Sequence, residues 1–317
     1  MAKTTNGQHD SSPFNGRTRS PTSISKPAMQ PNVKEVVLGN LWINTWYPSF
    51  YSEELVGKVL DRLYVCQWCF KYTQNLVPYI DHTRLCQYRD MPILGDPIYH
   101  KEHFTIYEVD GDEHKLYAQN LSLFAKLFLD NKSVFYDVTT FRYYLLVFND
   151  PALDPPSPQV VGFFSKEKLS WDNNNVACIL VFPPWQRRGY GQILMGVSYE
   201  LSKRERRLGG PEKPLSELGK RAYVYYWSGV IARYMATLPE GESTTLRAIS
   251  EETYILPEDV ISALKHMRIM EPCTGDEYSH IVNRARVRAW AVANGVGMES
   301  PIDVDAFLIR ESRIEEE

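Results

Sequence analysis

Several absences narrow the class of this 317-residue chain before any motif does. No run of eighteen apolar residues occurs in it, so no helix of membrane-crossing length is predicted. The N-terminus carries no charged-then-apolar leader pattern, and the expectation is a soluble protein of the reducing cytosol or nucleus. Strong charge of either sign is missing. A formal net charge of -4 argues against tight, sequence-blind binding to a DNA backbone, which needs a strongly basic surface, and is compatible with a basic partner. Cysteines are few and odd in number: Cys66, Cys69, Cys86, Cys178 and Cys273. Three of them crowd one short stretch, which argues for a metal site plus lone thiols and against a disulfide framework. No repeat is visible, and no P-loop lysine followed by Ser or Thr is present.

Residues 1 to about 32 are rich in Ser, Thr, Asn, Gly and Pro and nearly empty of large apolar groups, so a disordered tail is predicted. Order begins near Val36-Val37-Leu38. The aromatic cluster Trp42, Trp46, Tyr47, Phe50 and Tyr51 is either a packing wall or a binding surface, and packing is the preferred reading. Residues 104–109 alternate, meet Asp110-Gly111 and continue as Leu116-Tyr117-Ala118, a hairpin signal. Leu121, Leu123, Phe124, Leu127 and Phe128 have helical spacing. Residues 134–138, 143–148, 160–164 and 176–182 read as strands, with a proline-rich loop at 150–158. From Gly189 a helix presents Ile193, Leu194, Val197 and Leu201 on one face, closes in basic residues at 203–207, and is broken by Gly209-Gly210-Pro211. A second helix is predicted from about Pro214 to Met235. Short helices at 244–251 and 257–267, ahead of a candidate strand pair, give the order of a winged helix-turn-helix.

Two constellations carry chemistry. Cys66, Cys69, His82 and Cys86 follow the spacing Cys-x2-Cys-x12-His-x3-Cys. The first pair forms a knuckle, and the second pair lies on one face of a helical turn. Four such ligands suit a closed, structural tetrahedral zinc with no position left for water. Lys71 and Arg84 are the basic residues inside this segment, so a folding role is favoured over contact with nucleic acid. The second constellation is the turn Gln186-Arg187-Arg188-Gly189-Tyr190-Gly191, set between the apolar run at 176–182 and the amphipathic helix. The run reads as a buried strand. Bare N–H groups at a helix start bind phosphate, glycines let the backbone come close, and two arginines add charge for a pyrophosphate. A dinucleotide fold would place such glycines after the first strand of a βαβ unit; here the turn comes late, after antiparallel hairpins.

From about Val36 to at least Trp227, and more loosely to the end, the chain resembles the MYST histone acetyltransferases. The segments that carry the resemblance are Ile43-Asn44-Thr45-Trp46-Tyr47, the finger, Ile106-Tyr107-Glu108-Val109-Asp110-Gly111, Gln119-Asn120-Leu121, Lys126-Leu127-Phe128-Leu129-Asp130, Gly162-Phe163-Phe164-Ser165-Lys166-Glu167, Cys178-Ile179-Leu180, the glycine turn, and Pro211-Glu212-Lys213-Pro214-Leu215-Ser216. Cys69-Phe70-Lys71-Tyr72-Thr73, Leu129-Asp130-Asn131-Lys132-Ser133 and Gly210-Pro211-Glu212 look most like the fungal something-about-silencing branch. The resemblance implies an α+β fold with a central core like that of the GCN5-related acetyltransferases. It divides the chain into a tail (1–32), N-terminal strands with the zinc finger (33–95), an acetyl-CoA-binding catalytic core (96–236) and a helix-turn-helix-like region (237–317). It implies coenzyme A contacts at Ile179, Val181, residues 186–192 (Gln186, Arg187, Arg188, Gly189, Tyr190, Gly191 and Gln192) and Ser216. It implies Glu212 as general base, Cys178 as the family's cysteine and Lys132 as its self-acetylated lysine. A nuclear protein is implied, with a histone tail, histone H4 first, and the nucleosome as partners beside chromatin-complex subunits. No membrane partner and no sequence-specific DNA binding are implied.

A free lysine has a pKa near 10.4 and must lose a proton before it attacks a thioester. A carboxylate within reach takes that proton, typically for about 10²–10⁴-fold in rate. Glu212 occupies a suitable loop between two helices; Glu200 and Glu205 compete from a charged helix face. Cys178 either forms an acetyl intermediate or lines the thioester pocket, the latter with direct attack in a ternary complex being preferred. Strand N–H groups near Ile179 would hold the oxyanion. Lys132 without the resemblance is a surface lysine. Gln192 stands where the family often has Lys, Ala118 replaces a common Cys, and the loop at 150–158 is longer than usual. Two other functions stand beside this one: an acetyltransferase for small amines or a non-histone protein, and a catalytically silent zinc-finger and winged-helix chromatin adaptor.

Overall fold

The computed structural model describes residues 30–57, 59–89, 94–152, 158–239, 244–269 and 282–308. Nearly all of the predicted tail, the candidate strand pair of the wing and Cys273 lie outside these residues.

Two sheets organise the mixed α+β architecture. The first takes β1 (Val33–Leu38), β2 (Leu41–Asn44), β3 (Leu60–Val65) and β4 (Tyr72–Thr73) in the order β2-β1-β3-β4. Leu38 faces Leu41 across a two-residue turn at Gly39-Asn40, where Gly39 takes φ +62 as such tight turns require. Strand β3 returns parallel to β1, and the short helix α1 (Glu53–Val56) lies in the crossover. The second sheet, β5 (Asp96–Lys101), β6 (Phe104–Asp110), β7 (Phe141–Asn149), β8 (Pro158–Glu167) and β9 (Cys178–Val181), is antiparallel throughout in the order β5-β6-β7-β8-β9.

Helix α2 (Leu76–Leu85) closes the finger. Helix α3 (Lys115–Lys126) covers one face of the second sheet, where Ser122 Oγ meets the Tyr143 hydroxyl at 3.1 Å. Helix α4 (Tyr190–Arg204) covers the other: Tyr190 packs on Phe104, and Glu205 pairs with Lys166. Strand alternation puts Phe104 and Lys166 opposite Tyr143, so the sheet is sandwiched. One apolar core runs through both sheets, from Val36 and Leu63 to Phe124, Leu145, Phe164 and Leu194. A second lies among α5 (Glu217–Thr237), α6 (Leu246–Thr253), α7 (Pro257–His266) and α8 (Arg284–Ala293), and reaches Met195 and Tyr199 of α4. The chain then returns to the sheet: Ile302 packs on Gly196, and Phe307 bridges Tyr99 at the edge strand β5.

Several local expectations are corrected. Asp110-Gly111 does not reverse the chain onto 116–118. Those residues continue into α3, and β7 takes the ladder beside β6, pairing Arg142 with Asp110 while Gly111 N–H donates to the Phe141 carbonyl (2.9 Å). Residues 134–138 form no strand; Val138 is buried in a turn whose carbonyl accepts from Phe141 N–H, Val134 and Phe135 are half-buried, and Tyr136 and Asp137 are exposed. Helix α8 was not anticipated, because arginines interrupt its apolar spacing; Asn283 caps it by accepting from Arg286 N–H at 3.2 Å. The aromatic cluster divides between roles. Tyr51 is buried against Tyr72, Trp46 meets Phe128 edge-on and Phe50 stacks on Phe135, whereas Trp42 lies outside under the Arg62 guanidinium.

Candidate active site

The finger assembles as its spacing predicts. The turn between β3 and β4 presents Cys66 and Cys69, and the last turn of α2 presents His82 and then Cys86. The four ligand atoms lie within 4.8 Å of one another, with 3.8 Å between the Cys66 and Cys86 sulfurs and 3.2 Å between Cys69 Sγ and His82 Nε2. Tetrahedral zinc with Zn–S near 2.3 Å would set sulfurs about 3.8 Å apart, so the donor set fits a structural zinc. A hydrogen bond from Cys69 holds Cys66 down to about 5, and that bond, followed by burial, pushes Cys69 up. The three cysteines are buried and His82 is half-buried.

The other constellation forms around β9. This strand is not buried on both sides as its apolar run suggested. It is the edge of the sheet, paired with β8 alone among the described strands, and Cys178, Ile179 and Val181 are only half-buried while Leu180 points into the core. Its apolar side chains therefore flank an open main-chain edge. At the far end Phe182, fully buried against Phe70, Phe124 and Trp185, anchors the exit, and a single 3-10 turn (Pro183–Trp185) leads to the glycine turn. Gln186 Nε2 donates to the Val181 carbonyl at 2.8 Å, so this side chain braces the turn against the strand. Arg187 and Arg188 are exposed, and Arg187 itself has φ +63. Gly189 caps α4 at φ +87, a conformation costly for any residue with a Cβ. Tyr190 is buried; Gly191 and Gln192 follow in the first turn of α4, half-buried. Ser216 caps α5, its hydroxyl accepting from Gly219 N–H at 3.1 Å.

At the near end of β9 three distant segments meet. Asn175 N–H donates to the Gly210 carbonyl (2.9 Å), Glu212 N–H donates to the Val176 carbonyl (2.8 Å), and Val176 bridges Pro211 in parallel fashion. The loop after α4 is thereby stitched to the strand two residues ahead of Cys178. From the other side Lys132, buried at 5% exposure, brings Nζ to 3.7 Å from Cys178 Sγ. The surface position that Lys132 would have without the family resemblance is not where it lies. Glu212 is open to solvent, yet partial burial, then repulsion from Glu167, pushes its carboxyl above the ordinary range, and the Lys132 ammonium opposes the rise. The competing carboxylates are engaged elsewhere: Glu200 with Arg204 at 2.9 Å, Glu205 with Lys166.

Glu167 closes one of the segments that carry the family resemblance but received no role from the sequence, because nothing local marks a glutamate at a strand end. It also lines a cleft of about 570 Å³, shared with Glu108, Asp110, Glu113, Arg142 and Lys168. No helix among the described residues is long and apolar enough to cross a membrane.

Two family models match the chain. Residues 92–306 match the MOZ/SAS family, and residues 30–86 match the MYST family zinc finger domain. The chain is 43% identical over 239 residues to histone acetyltransferase MOF of Drosophila melanogaster, covering 75% of this chain and 28% of that protein. It is 42% identical over 239 residues to the histone acetyltransferase Tip60 homolog of Caenorhabditis elegans, covering 74% and 50%. It is 40% identical over 240 residues to histone acetyltransferase KAT6B of Macaca fascicularis, covering 76% and 13%. The matched region thus spans half the length of these relatives or less.

Proposed function

This chain belongs to the MOZ/SAS family, and from that premise we propose that it transfers an acetyl group from acetyl-CoA to the ε-amine of a histone-tail lysine. The observation that carries the proposal is the convergence of Glu212, Cys178 and Lys132 at one end of an open strand edge whose other end runs into the glycine turn. The strand spans the distance between a phosphate cradle and a raised carboxylate, which is the layout a long thioester needs.

In this reading the pyrophosphate lies on the N–H groups at the start of α4 with Arg187 and Arg188 beside it, and Gln192 and Ser216 flank the cofactor. The pantetheine arm runs along Ile179 and Val181. The acceptor amine gives its proton to Glu212, and its nitrogen attacks the thioester carbonyl carbon. The tetrahedral oxyanion is held by strand N–H groups near Ile179; the C–S bond then breaks, and the departing sulfur takes the second proton from the nitrogen, leaving the amide and the coenzyme A thiol. A carboxylate with a raised pKa is the better base for an ammonium, because the gap in proton affinity is smaller. Cys178 lines the pocket and touches Lys132, which is the self-acetylation site in this reading. The zinc finger holds the N-terminal sheet and takes no part in the chemistry.

Within the family we assign the chain to the something-about-silencing branch, with the histone H4 tail on nucleosomes as substrate, complex subunits as partners and the nucleus as its place of work. The basis is the three segments at 69–73, 129–133 and 210–212. Incubating the purified chain with acetyl-CoA and core histones, beside Glu212→Gln, tests the reading. Acetylated H4 with the parent and a deep loss with the variant is the expected result. Equal activity in both removes Glu212 as base, and inactivity of both, with nucleosomes and candidate subunits supplied, favours a silent adaptor.

A further inference from the structure

We propose that the Lys213–Asp259 ion pair is a positioning device through which helix α7 of the C-terminal region holds Glu212 in its working place; the proposal rests on the reading of Glu212 as the base. Up to Glu212 the loop is fixed to the segment just ahead of β9 by the three backbone contacts of Asn175 and Val176 with residues 210–212. Downstream, Lys213 Nζ reaches Asp259 Oδ1 at 2.8 Å and Glu258 Oε1 at 3.5 Å, both in the first turn of α7. Asp259 is the anchor, because its side chain is only 4% exposed against 61% for Glu258.

Asp259 meets the loop on both sides of Glu212. Its Oδ2, buried and without a hydrogen-bond partner among the described residues, lies 3.0 Å from where a Cβ on Gly210 would stand, and Leu256 is equally near. A buried carboxylate with one oxygen unsatisfied is a poor device for stability alone, since an apolar pair of similar volume would hold two elements together at least as well. What it supplies is a directional contact at a fixed place, on the residue next to the base. The packing of α7 against α5 then sets where the Glu212 carboxyl stands. Nothing in the local sequence links residues 213 and 259; the fold brings them together.

The test is steady-state kinetics of the full chain across pH, with acetyl-CoA and an H4-tail peptide, for Asp259→Asn, Lys213→Met, Lys213→Arg, the Lys213→Met/Asp259→Asn double variant and Glu212→Gln. Displacing a catalytic group by about 1 Å costs up to about 100-fold, so kcat is expected to fall about 10- to 100-fold in Asp259→Asn and in Lys213→Met, with KM for acetyl-CoA unchanged. The double variant should be no worse than the poorer single, and Lys213→Arg should recover most of kcat. In Lys213→Met the acid limb of the pH profile should move to lower pH, because a loosened Glu212 is less desolvated. Mere loss of a nearby cation would move it to higher pH, so an upward shift overturns the proposal. Parental kcat in both single variants while Glu212→Gln is inactive overturns the positioning role and leaves the base. Full activity of Glu212→Gln overturns the base and the proposal with it. Should either single variant fail to fold, the Lys213→Met/Asp259→Asn double variant, which leaves no buried charge unpaired, still decides by the same fall in kcat.

Discussion

Two alanine substitutions two residues apart separate what the glycine turn does for the fold from what it does for a ligand. At Gly189 the backbone has φ +87, and nothing lies within 4 Å of an added Cβ. The whole cost of Gly189→Ala is therefore conformational, about 1–2 kcal/mol. Gly191 sits inside the first turn of α4 outside the left-handed region, and its added Cβ would meet Val181 Cγ2 at 4.0 Å, an ordinary contact. Alanine there costs the fold nothing and gains helix propensity, up to about 1 kcal/mol. At about 2–4 °C per kcal/mol for a chain above 150 residues, Gly189→Ala should lower Tm by about 2–8 °C and Gly191→Ala should leave it unchanged or raise it by up to about 4 °C. Coenzyme A should report the opposite order. If pyrophosphate rests on the N–H groups of this turn, a methyl at 191 keeps it away, and each charge-assisted hydrogen bond lost costs about 1.5–3 kcal/mol, or about 10- to 150-fold in Kd. Calorimetric titration with coenzyme A beside thermal unfolding gives both numbers. A Gly191→Ala protein that is stable and binds coenzyme A as tightly as the parent refutes the phosphate reading, and one that loses stability refutes the steric one.

Other outcomes follow from the same geometry. Glu212→Gln should lower kcat/KM by about 10²–10⁴-fold at neutral pH. If Glu212 is the base it works deprotonated, so Glu167→Gln, which removes a repelling charge, should move the acid limb of the pH–rate profile to lower pH, and Lys132→Met should move it to higher pH; the reverse order would mean that the limb belongs to another group. Chelation, or His82→Ala, should remove one zinc per chain by elemental analysis and cost the finger its helix by circular dichroism, since the free energy of binding the ion is part of what folds such a segment. Phe182→Ala, at a side chain with no exposure packed against Phe70, Phe124 and Trp185, should cost about 3–5 kcal/mol in urea unfolding; less than about 1 kcal/mol would show that this junction can collapse.

The amino-acid order alone determined those features whose physics is local. A Cys-x2-Cys knuckle and a His-x3-Cys turn face one ion because helical geometry puts residues four apart on one side. Gly189 marks a left-handed cap, and the helix that follows is written in its apolar spacing. Short-range patterns misled where two outcomes share one signal. Asp110-Gly111 announces a reversal without saying which segment completes the ladder, and the run at 176–182 is equally apolar at a sheet's edge or in its middle. Arg284 to Ala293 hid a helix because its stability comes from packing on α5, which periodicity does not record.

Tertiary structure decided the rest. Lys132, Cys178 and Glu212 are scattered over the chain, and their meeting depends on the turn after α3, the edge placement of β9 and the loop after α4 all closing on one point. The raised carboxyl of Glu212 needs Glu167 and partial burial, and the Lys213–Asp259 pair beside it needs a whole helical region folded behind it. Charges and desolvation act through space over a few ångströms, whereas sequence patterns report distance along the chain. A ligand set closed within one finger can therefore be read from spacing, but the environment that gives a single glutamate its proton affinity exists only once the fold has closed around it.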